Sequence, residues 1–251
     1  VKIRRLSPIS DSKVKMVIHG DPGVGKTLFS SIAPKPILAN CEGGLLCLDQ
    51  IAEYHADLDI QVVDISSIAD LQELFLYLKK GEHDRETLII DSLGEVMRIG
   101  MDEILKSPNR DSRYDPDTPM LQDYGQNTQR MRKLVRVFRD LPMHVIFTCI
   151  SQEQKDDQTG RLKTIPALTP KIANEVMGYV DIVGYLFVAE GNDGESERKL
   201  LTQPKGKYAA KDRSGKLGVG LVDPVAYDLI NMITGCEIPE YVQKIKLEVK
   251  K

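Results

Sequence analysis

Gly20, Asp21, Pro22, Gly23, Val24, Gly25, Lys26 and Thr27 stand in the spacing G-x-x-x-x-G-K-[ST], and those residue types at those intervals build a cradle for a chain of phosphates. The glycines let the backbone turn tightly enough for successive N–H groups to converge on one anion, and a following helix adds the favourable end of its dipole. Lys26 supplies a flexible cation for the β- and γ-phosphates, and the Thr27 hydroxyl is a hard oxygen ligand suited to Mg2+. The plain alternative is a glycine turn before an ordinary helix. It is set aside because 14–19 reads as a strand and Leu28, Phe29, Ser30, Ser31 and Ile32 continue a helix, which is the setting the motif requires.

A second carboxylate follows from the same logic. Leu88-Ile89-Ile90-Asp91-Ser92 is an apolar run ending in an acid, so Asp91 is expected to reach the Mg2+ shell beside the loop, the alternative being a simple N-cap for the next helix. Many ATP-hydrolysing machines carry a catalytic Glu directly after this position, whereas here it is Ser92. The base must then come from elsewhere. Glu42, just beyond the run Pro36-Ile37-Leu38-Ala39-Asn40-Cys41, lies where the end of a parallel strand meets the ligand crevice, and could orient and deprotonate the attacking water. Read alone, it could equally be a solvated loop residue before Gly43-Gly44. The run 144–148 should end at the same edge, bringing Thr148 and either Ser151 or Gln152 near the γ-phosphate, unless these groups bond locally. His144 reads as a strand-start residue, and Arg130, Arg132, Arg136 and Arg139 as a solvated helix face with no site role.

Positioning these groups needs a sheet. Strand-like runs at 14–19, 36–40, 61–65, 87–91, 144–148 and 181–188 alternate with helical patterns, which predicts an α/β fold with a mainly parallel sheet covered on both faces. Ile68, Leu71, Leu74, Phe75 and Leu78 recur at helical spacing between a capping pair, Ser67 and Asp70, and a stop at Gly81. Met120, Leu121, Tyr124, Met131, Leu134, Val135, Phe138 and Leu141 mark a second apolar face that Pro142 closes. Polar stretches 106–119 and 153–170 are expected to be mobile loops. Asn192-Asp193-Gly194, between 185–188 and 199–202, suggests an antiparallel hairpin at the sheet edge.

The 251 residues, 41% hydrophobic, are enough for one α/β core over 1–251, and no internal repeat divides them. A net charge of −3 gives no global basic field, so any nucleic-acid contact must be local. Cys41, Cys47, Cys149 and Cys236 form no C-x-x-C pair, which argues against a metal site on sulfur or a disulfide scaffold. No signal-peptide core or membrane-length apolar run is present, so a soluble intracellular protein with no membrane partner is expected.

Taken together, Asp91-Ser92 without an adjacent Glu, Glu42 after the second strand and the polar loop after Thr148 resemble the RecA-like ATPase core. Lys205-Gly206-Lys207-Tyr208-Ala209-Ala210-Lys211 resembles the Lys-x-Lys-x-Ala-Ala segment of RecA-type recombinases. Cys41-Glu42-Gly43-Gly44, Asp123-Tyr124-Gly125 and 207–213 narrow the resemblance to phage nucleotide-binding proteins described as short-core, RecA-like single-strand annealing ATPases. The resemblance implies Glu42 as catalytic base, Lys205 and Lys207 as lysines that reach a neighbouring subunit's nucleotide, and 153–170 as a DNA-contacting loop that includes the acidic pair Asp156-Asp157; Arg213 could be a further contact across the subunit boundary, although its Lys/Arg/Ser/Gly-rich loop reads as exposed. It also implies ATP and Mg2+ as ligands, single-stranded DNA and further copies of the chain as partners, a single-strand-binding protein as an optional one, and a phage protein acting in the cytoplasm of a bacterial host. Two other readings of the same motifs stay open: a P-loop kinase acting on a small molecule, and an ATP-regulated assembly or clamp-loading factor for a protein partner.

Overall fold

Strands that read as unbroken apolar runs need cover on both faces, and the molecule provides it. A computed structural model describes residues 8–49, 57–108, 110, 115, 117–155, 160–191 and 194–248. The strands are β1 (Lys15–Gly20), β2 (Pro36–Asn40), β3 (Gln61–Asp64), β4 (Thr87–Asp91), β5 (His144–Lys155), β6 (Leu162–Pro166), β7 (Ile182–Glu190), β8 (Ser196–Leu201), β9 (Lys211–Asp212) and β10 (Gly220–Val222). The helices are α1 (Lys26–Ser31), α2 (Ile68–Lys80), α3 (Leu93–Leu105), α4 (Leu121–Arg139), α5 (Pro170–Tyr179), α6 (Ala226–Thr234) and α7 (Glu240–Glu248).

The sheet order is β10-β8-β7-β1-β5-β4-β2-β3, with β6 paired to β5 and β9 to β7. From β7 through β3 every neighbouring pair is parallel, while β8 and β10 add antiparallel strands at one edge. The C-terminal ends Gly20, Asn40 and Asp91 therefore share one rim, which is where an open parallel sheet offers its crevice.

Alternate residues of each strand face opposite layers. Val17, Ile37, Ala39, Leu88, Ile90, Val145 and Phe147 pack under Leu71 and Leu74 of α2, Leu93 and Val96 of α3, Met131 and Phe138 of α4 and Ile172 of α5. Met16, Ile18, Leu38, Ile89, Ile146 and Leu186 face Phe29 of α1 and Leu229, Ile230 and Ile233 of α6. Each of these side chains larger than Ala39 contributes about 1.5–3 kcal/mol on burial, so the rim residues sit on strands held far more firmly than the loops joining them.

Local signals set the helix ends. The Ser67 hydroxyl accepts the Asp70 N–H at 3.1 Å while Asp70 accepts the Ser67 N–H at 2.8 Å, and Gly81 closes α2 in the left-handed conformation at φ 72°. That capping box and stop are as the spacing predicts. At α4, Asp123 accepts the Met120 N–H at 2.8 Å. The same buried carboxylate pairs with Arg110 at 3.2 Å, and Arg110 also donates to the carbonyls of Asp115 and Thr118 at 2.7 and 2.6 Å. The described part of 106–119 is thus fastened to the helix by a charge pair that no local pattern announces.

The 153–170 stretch differs from the loop expected of it. β5 continues through Lys155 and pairs antiparallel with β6, from Ser151↔Pro166 to Lys155↔Leu162, and α5 begins at Pro170. The polar side chains of the hairpin's outer half obscured its strand character, because only the base of the hairpin, at Thr164, Ile165 and Pro166, is buried. Asp156 and Asp157 lie outside the described residues, as do Asn192 and Asp193 of the edge turn. The edge hairpin itself is present, with Tyr185↔Leu201 through Glu190↔Ser196 in antiparallel register. In class and in the place of its phosphate loop, this is the fold that the RecA-like resemblance implies.

Candidate nucleotide site

β1 delivers the loop at its C-terminal end, and the first glycine is required by packing as well as by the turn. A Cβ on Gly20 would stand 2.1 Å from the Leu186 carbonyl oxygen of β7, so no side chain fits there while β7 lies against β1. Gly23 and Gly25 take φ of 79° and 88°, the left-handed region that glycine enters freely. Asp21, Pro22 and Val24 complete the bend into α1.

Lys26 folds back over its own loop, donating to the carbonyls of Asp21 at 2.8 Å and Gly20 at 3.2 Å. Burial pulls its ammonium below the ordinary lysine value, and the carboxylates of Asp91 and Glu42 oppose that pull. An anion entering the loop would do the same more strongly, by pairing with the cation directly.

Asp91 ends β4 beside the loop. Its Oδ2 accepts the Thr27 hydroxyl at 2.6 Å, and its Oδ1 accepts the Thr148 hydroxyl from β5. Hydroxyl and carboxylate oxygens at one point form an all-oxygen donor set, which suits Mg2+; Thr27 and Asp91 are the residues that would hold it. Thr148 is buried on Asp91, so it braces the carboxylate and does not stand open toward a γ-phosphate.

Glu42 arrives through a turn whose anchors are not visible as a motif. The Cys41 N–H donates to the Asp91 carbonyl at 2.8 Å, tying the end of β2 to the end of β4. Asn40 then donates to Asp64 at 2.7 Å and accepts the Gly43 N–H at 2.9 Å, so one amide fixes the turn that carries Glu42. Glu42 Oε1 accepts the Ser92 hydroxyl. The structure therefore brings Lys26, Thr27, Asp91 and Glu42 together, and Asn40 is a positioning residue that sequence reasoning missed.

A second cluster gathers around His19 near the end of β1. His19 is fully buried, and its Nε2 lies 2.8 Å from the Ala209 carbonyl and its Nδ1 2.9 Å from the Ser151 hydroxyl. A carbonyl only accepts, so Nε2 carries the proton and Nδ1 accepts from Ser151. Burial drives the imidazole down to about 4, with the Ala209 carbonyl opposing and Lys26 adding to the fall. Neutral His19 thereby joins the loop strand to the β5–β6 hairpin and to the 205–210 segment. Gln152 is engaged elsewhere, donating to the Leu168 carbonyl at 2.6 Å.

The 205–210 segment runs along β6, with Thr164 N–H donating to Lys207 O at 2.7 Å and Ala209 N–H to Thr164 O at 3.0 Å. Tyr208 stacks on Tyr185 at 4.3 Å. Lys207 forms an ion pair with Glu153 of the hairpin across a small polar cleft that Asp21 also lines. Lys205 and Lys207 are both exposed, and neither touches Lys26 or Asp91.

No described helix is long and apolar enough to cross a membrane. A family profile described as AAA domain matches residues 12–214. No curated protein matches the chain. Among solved structures, one ATPase domain is similar at 15% identity and a TM-score of 0.47, over 84% of this chain and 80% of that one. The flagellar accessory protein FlaH from Methanocaldococcus jannaschii is similar at 9% identity and a TM-score of 0.41, over 84% of each chain.

Proposed function

We propose that this chain, which belongs to the AAA domain family by a match over 12–214, is a Mg2+-dependent ATPase that binds single-stranded DNA and promotes annealing or recombination as an oligomer. The observation that carries the ATPase reading is the junction of Thr27, Asp91 and Glu42 beside a complete phosphate loop. The loop amides and Lys26 hold the triphosphate, and bound Mg2+ would supply neutralisation of charge on its oxygens. Glu42 orients a water and takes its proton as the oxygen attacks the γ-phosphorus. The bond from that phosphorus to the β–γ bridging oxygen breaks, the electron pair stays with ADP, and inorganic phosphate leaves.

The DNA reading draws on the resemblance and on the exposed Lys155, Arg161, Lys163 and Lys207 on and beside the β5–β6 hairpin, surface cations carried on both faces of that arm. His19 gives that surface a short route to the phosphate loop, since one ring touches both the hairpin strand and the 205–210 segment. Lys205 and Lys207 would serve the neighbouring subunit's triphosphate. The test is ATP hydrolysis with and without single-stranded DNA, with mass measured in each nucleotide state. Stimulation by DNA together with assembly supports the reading. Hydrolysis indifferent to DNA removes the DNA role, and turnover that needs an added small-molecule acceptor replaces it with a kinase.

A further inference from the structure

Arg198 of β8 lies against the phosphate loop. A Cβ on Gly25 would come within 3.0 Å of its Nη1 and 3.4 Å of its Cδ, so the glycine before Lys26 leaves room for a guanidinium as well as for a turn. The side chain is half-buried, and among the described residues its guanidinium makes no hydrogen bond or ion pair. Asp223 is the acid nearest in effect, yet its Oδ1 accepts the Arg198 main-chain N–H at 3.0 Å while its own N–H donates to the Arg198 carbonyl at 2.7 Å. That reciprocal pair fixes the backbone of β8 and directs the arginine from a rigid base.

Sheet order gives the guanidinium a specific target. Asp91 stands on β4, to one side of β1, and Arg198 on β8, to the other. On the ATPase reading above, from which this inference proceeds, the γ-phosphate faces Asp91 and Glu42. The ester end of the triphosphate must then leave the loop on the opposite flank, where Arg198 waits. A half-buried planar fork of donors matches the oxygens of a phosphate bidentately.

We propose that Arg198 is a nucleotide-binding residue of this chain's own site, contacting the phosphate that carries the ribose. It would act within one subunit, unlike Lys205 and Lys207. The experiment is calorimetric titration of ATP and of inorganic tripolyphosphate into wild type, Arg198→Met and Arg198→Lys, with the melting of each free protein as a control for folding. Arg198→Met should weaken both ligands by about 10- to 100-fold, the range for losing one charge-assisted pair, and Arg198→Lys should recover only part of the loss. Wild-type affinity in Arg198→Met overturns the proposal while leaving the ATP site intact. Loss for ATP with none for tripolyphosphate also overturns it, since the contact would then be to the nucleoside. If wild type binds neither ligand, the ATP-site reading and the proposal fall together. Should Arg198→Met not fold, Arg198→Lys decides alone: a loss of about 3-fold or more for both ligands is expected, and unchanged affinity overturns it.

Discussion

Two groups of polar residues lie near the C-terminal end of β1, and they are held in opposite ways. On the β4 side Asp91 and Thr148 are buried, and each carboxylate oxygen of Asp91 accepts a hydroxyl from a different element. On the hairpin side Lys207 and Glu153 face solvent and hold each other by one exposed ion pair. A buried, fully bonded network fixes geometry and is costly to disturb, whereas an exposed pair exchanges partners freely because water competes for both ends. The first arrangement suits chemistry that must be pre-positioned. The second suits contacts made only when another molecule arrives.

The largest effect that would sharpen this contrast belongs to Lys26→Ala. Removing the cation should lower ATP turnover by at least ~100-fold, with much weaker binding, while the free protein melts normally; nucleotide titration and a melting curve check both halves. Lys205→Ala with Lys207→Ala should behave differently. ATP affinity should stay near wild type, because the chain's own loop is whole, while DNA-stimulated hydrolysis falls by about 10-fold or more. Mixing the double variant with Lys26→Ala subunits, each supplying what the other lacks, should restore part of the rate in verified hetero-oligomers.

His19 joins the two regions, and pH probes it. Its imidazole titrates near 4 when folded, below the ordinary histidine value of 6.5, because burial disfavours the charged form; His144, also buried and accepting the Val14 N–H, is pushed to about 3. The unfolded chain therefore binds protons that the folded chain refuses. The contribution is complete above about pH 6.5 and is lost as pH falls toward 4, by as much as about 3 kcal/mol for His19. Melting followed from pH 7.5 to 4.5 should fall with a slope that flattens in His19→Gln. The smallest effect is expected of Glu153→Gln, which should leave melting unchanged within error while altering the salt dependence of DNA binding.

How far each region could be read beforehand follows from the same physics. The loop 20–27 was legible because its chemistry is contiguous, Asp91 because it ends an apolar strand run, and Glu42 because it lies just beyond one. Asn40, bonded to Asp64 and Gly43, was not, since its role depends on β2 lying beside β3. His19 and Ala209 meet across the whole fold, and only the topology pairs them. Arg110 and Asp123 fasten a stretch whose composition reads as loop. The β5 extension was missed because periodicity reports burial, and the outer half of the hairpin is exposed, with only Thr164, Ile165 and Pro166 of β6 buried. The short helix α5 did carry a signal, with Pro170 at its start and buried Ile172, Ala173 and Val176 behind it.

What distinguishes this site from a bare phosphate loop is the claim that its base comes from the end of β2 and reaches the reaction across Ser92. Glu42→Gln keeps the shape and can still bond Ser92, but it cannot take a proton. Binding and single-turnover hydrolysis of ATP, measured on one preparation of wild type and variant, put that claim to the test. The account predicts near-wild-type affinity with hydrolysis slowed by at least ~100-fold; equal hydrolysis in the two proteins would contradict it and return Glu42 to the role of an ordinary loop residue.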